Sequence, residues 1–458
     1  MKIRLYHIPL IFLLSTAAGC ATVRVPLQTF DAALAAGDTE RAREIAGTNA
    51  GTNPSPRELL WVLQTGAMDR ILQRYEASNS AFDRAEQAFA HYDQQLWAGR
   101  SAQTAGGLLI NDTALPYTGR SYDRIMVNTY KALNFAVLGD RANARVEFNR
   151  ALQRQSDAKQ IFARQTEELR QTIAAEEARY GQYRMVDRSL NSGRLDRALS
   201  DKYRNLDSLA VYADFVNPFT TYVAGLYFWL SGDRDKAVDI LKEAYAMSGR
   251  HPVVADDFRR ADRGIAPSGE VWVIFENGLA PRRAEVRIDL PILIEAAPVY
   301  YVGAAFPELL PGREAYPFVT VESDSGSPVS TESIADMDAV IYTDFKKELS
   351  AITAREVARA ALKTYFQYEM RERYGTGGGI IAGIYQAATT RADLRMWSAL
   401  PTDFQLAHLR MPHDRKVVVQ PAGGTRFPIN IPDDCRNVII YIRSVAKGVY
   451  PAIDLIKF

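Results

Sequence analysis

The chain has 458 residues, with 55 Lys and Arg against 54 Asp and Glu, 47% hydrophobic residues and two cysteines. That length supports two or three domains, each with a proper core, and the near-zero net charge leaves no general field to recruit nucleic acid or acidic lipid. With Cys20 engaged elsewhere, Cys435 has no disulfide partner and reads as a buried, inert cysteine at the start of a strand.

At the N-terminus Lys2 and Arg4 precede an apolar run from Ile8 to Leu14, and small residues then lead into Ala17-Ala18-Gly19-Cys20. Charge, short hydrophobic core and small-residue site in that order predict a secretory signal over residues 1–19, too short to serve as a membrane span. Its end resembles the lipobox of bacterial lipoproteins, with Ala17 where Leu is usual. The resemblance implies cleavage before Cys20 and diacylation of its thiol. Ala21 in place of aspartate implies sorting to the outer membrane, with the body facing the periplasm. No second segment reaches the ~18 apolar residues of a span.

Residues 20–265 are rich in Ala, Leu, Glu, Gln and Arg, with apolar residues three and four apart, which predicts a run of amphipathic helices. Ala36-Gly37-Asp38, Leu138-Gly139-Asp140 and Ser231-Gly232-Asp233 read as helical-hairpin turns, Gly closing one helix and Asp capping the next. Ala132, Phe135, Ala144, Phe148 and Ala151, and again Gly225, Phe228, Ala237, Leu241 and Ala244, resemble the small and large positions of tetratricopeptide repeats. Copies are not spaced at ~34 residues, so the expectation is an interrupted, TPR-like solenoid. Arg141 to about Tyr180 predicts one long helical arm. The Gly106–Tyr122 stretch reads as a connecting loop, with Pro116 and Tyr117 as candidates for lining a site.

At Ala266-Pro267-Ser268-Gly269 the pattern changes to short apolar runs, so residues 266–458 are expected to form a smaller β-rich domain, a sandwich or small barrel. Strands are predicted at Glu270–Glu276, Ala284–Leu290, Val299–Val302, Phe318–Val321, Phe404–Leu409, Lys416–Val419 and Asn437–Ile442. The first two are expected to pair through an Asn277–Gly278 turn, and Ser323–Ser333 reads as an exposed loop. An inserted helix is expected within Ile334–Tyr374, where Arg355, Arg359 and Lys363 stand four apart as a stripe able to clamp an anionic partner. The Gly375–Gly379 run lacks a P-loop lysine and reads as a hinge or as the start of an apolar docking hairpin.

Leu115-Pro116-Tyr117-Thr118-Gly119, Asn217-Pro218-Phe219, Phe275-Glu276-Asn277-Gly278-Leu279-Ala280-Pro281 and Ala392-Asp393-Leu394-Arg395-Met396-Trp397-Ser398-Ala399-Leu400-Pro401 together resemble an uncharacterised family of TPR-like proteobacterial lipoproteins, Met396 replacing a small polar residue. The resemblance spans most of the chain. Members can be encoded near lipoproteins resembling activators of penicillin-binding proteins, which implies a place in envelope assembly without assigning an activity.

Catalytic signals are sparse. The chain has no HExxH, no Cys/His zinc spacing around His91, His251, His408 or His413, and no Gly-x-Ser-x-Gly elbow. No cofactor and no metal are expected. The leading expectation is a non-enzymatic scaffold, fixed to the membrane by lipid on Cys20 and binding an envelope protein through Pro116, Tyr117, Arg355, Arg359, Lys363 and Trp397. The alternatives are a glycan-binding or peptidoglycan-active envelope enzyme and an assembly subunit of a surface structure or exporter. Partner identity and oligomeric state stay open.

Overall fold

Paired helices open the chain. In the computed structural model, which describes residues 25–458 except 54, 99–114, 181–184, 205, 210–211, 213–214, 249–250, 293–299, 325, 362–363 and 365–390, α1 (25–35) turns into α2 (Thr39–Ala50). Then come α3 (Leu59–Ile71) and α4 (Tyr75–Trp97), α5 (Ser121–Val137) and the 40-residue α6 (Arg141–Tyr180), the short α7 (Met185–Leu190), α8 (Gly193–Tyr203) and α9 (Leu206–Leu209). The helical half ends with α10 (Pro218–Leu230), α11 (Arg234–Met247) and α12 (Pro252–Asp262). Cys20, Lys363 and the Gly375–Gly379 run lie outside the described residues.

The three Gly-Asp turns close alike. Gly37, Gly139 and Gly232 take φ of 79°, 78° and 85°, and the following Asp N–H reaches back five residues to Ala33, Phe135 and Phe228 carbonyls at 3.0, 2.9 and 2.9 Å. Only glycine adopts that left-handed angle without a Cβ penalty. Asp38 and Asp140 then cap the next helix through Arg41 and Asn143 N–H groups, both at 3.0 Å, whereas Asp233 makes no side-chain cap and pairs with Arg145 instead. The α3–α4 turn has the same closure with Gln73 at φ 58°. A tertiary contact holds that strained residue: the Gln73 amide donates to Ile453 O at 2.8 Å and Asp454 Oδ1 at 3.0 Å.

Strands β1 (Glu270–Asn277), β6 (Glu332–Asp336), β7 (Asp403–Arg410), β10 (Asn437–Ser444) and β11 (Ala452–Lys457) form one sheet in the order β11-β10-β1-β7-β6. A second sheet, β5-β4-β8-β9, contains β4 (Val319–Ser323), β5 (Gly326–Ser330), β8 (Lys416–Pro421) and β9 (Phe427–Asn430). Two long strands, β2 (Arg282–Ile292) and β3 (Tyr300–Leu310), pair with each other, and among the described residues with no other strand. Helix α13 (337–361) follows β6 directly.

The chain is thus mixed α+β, with its largest sheet between helices and a second sheet. Along β1, Trp272 and Ile274 enter a core with the helices, while Val271, Val273 and Phe275 enter a core with the second sheet. Alternation along a pleated strand produces that division, and burial on both faces explains the unbroken apolar run. Helical and strand residues from both sides of the compositional boundary near residue 266 share the first core.

Two strand expectations are corrected. β2 does not pair with β1, whose neighbours are β10, parallel, and β7, antiparallel. The backbone leaves the sheet at Gly278 (φ 63°), where an added Cβ would lie 2.0 Å from the Arg313 carbonyl oxygen. The Ser323–Ser333 stretch contains β5 and the start of β6, so it is exposed edge strand as well as turn. The long helix packs back: Leu169 and Ile173 of α6 join Ile288, Leu290, Phe306 and Val357 in a separate core around β2 and β3.

Candidate functional site

A cleft of about 190 Å³ opens where α4, α6 and the segment before α5 meet β2, β3 and α13. The residues 115–120 form one wall. Gly119 (φ 80°) lies so close to Phe89 that a Cβ there would come within 2.4 Å of the ring, which presses this strand of chain onto α4. Arg120 N–H donates to Asp123 Oδ2 at 2.7 Å, capping α5, and the buried Tyr117 hydroxyl donates to the same carboxylate. Burial pushes the Asp123 carboxyl up to about 6.

The floor is ionic. Arg120 and Arg283 both grip Glu348 Oε2, at 2.6 and 2.8 Å. Burial alone would raise the Glu348 pKa, but these two guanidiniums hold it below the ordinary glutamate value. One turn earlier on α13, Asp344 has the opposite fate: burial and then the neighbouring Glu348 charge hold its carboxyl well above the usual range. Arg124 binds both oxygens of Asp93 at 2.8 Å, and Arg395 chelates Asp393 at 2.8 and 3.0 Å while donating to Leu115 O at 2.8 Å. Facing this floor are Ile161 and Phe162 of α6, Phe215, Pro307 and Ile352.

Among the sequence-chosen residues, Pro116, Tyr117 and Arg355 line this cleft although up to 239 positions separate them in the chain. Arg359 and Trp397 do not, and both expectations are corrected. Arg359 is buried and pairs with Glu356, because its face of α13 turns inward, so this member of the expected stripe is not on the surface. Trp397 is fully buried, edge-on to Phe82 and Tyr130 with centroids 5.8 Å away in each case, so it is a core residue out of a partner's reach. Lys363 lies outside the described residues.

Sequence reasoning missed Tyr92, Arg120, Arg283, Asp344 and Glu348. The Arg120–Asp123 spacing carried a local capping signal; Asp344 and Glu348 share one helix at i, i+4 spacing, while Tyr92 and Arg283 stand in separate elements and share no motif with them. Cys435 is buried, and its thiol donates to Pro432 O at 3.2 Å. Among the described residues no group of three or more His, Cys, Asp or Glu is placed to hold a metal, and no helix is long and apolar enough to cross a membrane. Compared with protein-family models, curated proteins and solved structures, the chain matches none.

Proposed function

We propose that this chain is an outer-membrane lipoprotein, anchored through Cys20 and facing the periplasm, that works as a non-enzymatic scaffold of envelope assembly. Its helical half is read as an interrupted TPR-like solenoid, a reading supported by the three alike Gly-Asp hairpin turns. The family of TPR-like proteobacterial lipoproteins remains the proposed kinship. The observation that carries the scaffold reading is the convergence of Pro116, Tyr117 and Arg355 on one cleft between the helices and the β2–β3–α13 unit. A cleft of mixed apolar and ionic lining suits recognition of a partner segment.

The test is crosslinking in living cells from a photoreactive residue at position 116, with partners identified by mass spectrometry. A reproducible envelope protein, lost when Arg355→Glu is introduced, supports the scaffold. Capture of nothing above background counts against it.

One observation favours a second reading, a peptidoglycan-active enzyme. Asp344 and Glu348 stand one helical turn apart in the cleft with pKa values driven in opposite directions, the arrangement of a carboxyl acid beside a carboxylate. Release of soluble fragments from purified sacculi, abolished by Asp344→Asn, would establish it and displace the scaffold.

A further inference from the structure

Little chain separates the lipid proposed on Cys20 from the first helix. α1 starts at residue 25, and even fully extended, the chain between residues 20 and 25 reaches no more than about 18 Å. An acylated Cys20 lies at the bilayer surface, so the start of α1 stands within that distance of it.

Helix pairing decides what else shares that end of the molecule. α1 with α2 and α3 with α4 are hairpins closed by the tight turns at Gly37 and Gln73, so α4 ends beside the start of α3. Phe30 of α1 meets Trp61, in the first turn of α3, with ring centroids 6.2 Å apart. Further along α3, Gly66 lies against the Phe82 ring of α4, where an added Cβ would come within 2.5 Å. Counting about 1.5 Å per residue outward from these two contacts puts Val25 and Trp97 within about 10 Å of the same height along the helices.

Both side chains are exposed, Val25 by 61% and Trp97 by 57%, whereas Trp61, Trp229, Trp272 and Trp397 are buried. The Arg164 guanidinium lies over the Trp97 ring at 5.8 Å. An exposed indole with a cation on its face suits the headgroup layer of a bilayer, which takes an apolar ring and polar groups together.

We propose that the end of the helical half bearing Val25 and Trp97 rests on the bilayer, with the Trp97 ring in the headgroup layer. The cleft shares this end, since Tyr92, Gln95 and Leu96 line it from the last turns of α4. Those residues follow one another within about 8 Å of Trp97 along the helix. The segment that the cleft receives is therefore one that lies next to the membrane. The inference rests on anchoring through Cys20 and adds the face that the anchor holds against the lipid.

The test uses the full-length lipidated protein with vesicles of phosphatidylethanolamine and phosphatidylglycerol. Flotation reads the anchor, and acyl chains brominated just below the headgroups quench any tryptophan that reaches them. Because the remaining tryptophans are buried, the quenched emission is expected to come from Trp97 and to be lost in Trp97→Phe. Leu138 supplies the opposite end: it is 42% exposed at the close of α5, where Asn134 bonds Ser78 and Asn79 near the start of α4. Leu138→Trp in the Trp97→Phe background is expected to stay unquenched.

Protein that floats but is quenched equally in the wild type and Trp97→Phe overturns the docking and leaves the anchor standing. So does quenching of Leu138→Trp as strong as that of Trp97. Wild-type protein that does not float overturns the anchor, and the docking with it.

Discussion

The central core and the cleft both bury many charged and polar groups, and the core surrounds Glu276 with two hydroxyls and a guanidinium while leaving Arg443 Nε without an aligned acceptor. Glu276, 2% exposed, accepts from the Tyr130 and Tyr441 hydroxyls at 2.6 Å each, and Arg443 Nε lies 3.2 Å from its Oε1 as an ion pair without hydrogen-bond alignment. Arg443 also donates to Gly278 O at 2.6 Å and Ala399 O at 3.1 Å, while Arg70 lies over the Tyr130 and Tyr441 rings at 5.4 and 5.0 Å. In the cleft the Tyr92 hydroxyl and the Nε groups of Arg120 and Arg283 likewise have no hydrogen-bond partner among the described residues. Buried polarity completed by the fold holds elements together, whereas buried polarity left incomplete costs stability until something else completes it.

The largest effect is expected around Glu276. Glu276→Gln removes the charge that balances Arg443 and loses two charged hydrogen bonds. Unfolding free energy should fall by about 3–5 kcal/mol, as for a buried pair broken on one side. A urea unfolding curve reads this directly, and a loss under 1 kcal/mol would mean that the network is not a structural tie.

A pH profile sharpens the comparison at a buried carboxyl that takes two donors on one oxygen. Asp257 accepts from Tyr222 Oη at 2.8 Å and Trp272 Nε1 at 3.1 Å, and burial raises its pKa to about 7. Because the folded value lies above the unfolded one, its contribution to stability is full at low pH and is lost as pH rises through about 7. Asp338, raised by burial to about 7, and Asp123 and Asp403, raised to about 6, act in the same sense. Stability attributable to Asp257 should therefore drop by about 2–4 kcal/mol between pH 4 and pH 8. Asp257→Asn should flatten that portion of the profile; an unaltered slope in the variant sinks the assignment.

A matched pair of substitutions gives the smallest but most direct comparison. Tyr441→Phe deletes a hydrogen bond to a buried carboxylate and should cost about 1.5–3 kcal/mol. Tyr92→Phe deletes a hydroxyl that the fold leaves unpaired, and should change stability by no more than about 0.5 kcal/mol. Thermal melts of the two variants side by side decide the matter. Equal costs would mean that the cleft hydroxyl is satisfied in solution and that the two regions do not differ as described.

The hairpin turns at Gly37, Gly139 and Gly232 were legible in the sequence because a left-handed angle followed by a helix start is a property of a few adjacent residues. Strand runs such as Val271–Phe275 and Val438–Ile442 were legible for the same local reason, and so was the long α6. The turn at Gln73 was not, because its strained angle is held by Ile453 and Asp454, nearly 400 residues away. Likewise nothing local indicated that β1 would take β10 and β7 as neighbours or that Arg359 would turn inward. Backbone angles, caps and periodicity are decided over a few residues, so the chain alone determined its long helices and its longer apolar strands, but not the short edge strands β5 and β6. Which apolar faces meet is decided by packing among distant segments, so only the tertiary structure settled the pairing of strands and brought Tyr92, Arg120, Arg283 and Glu348 to one cleft.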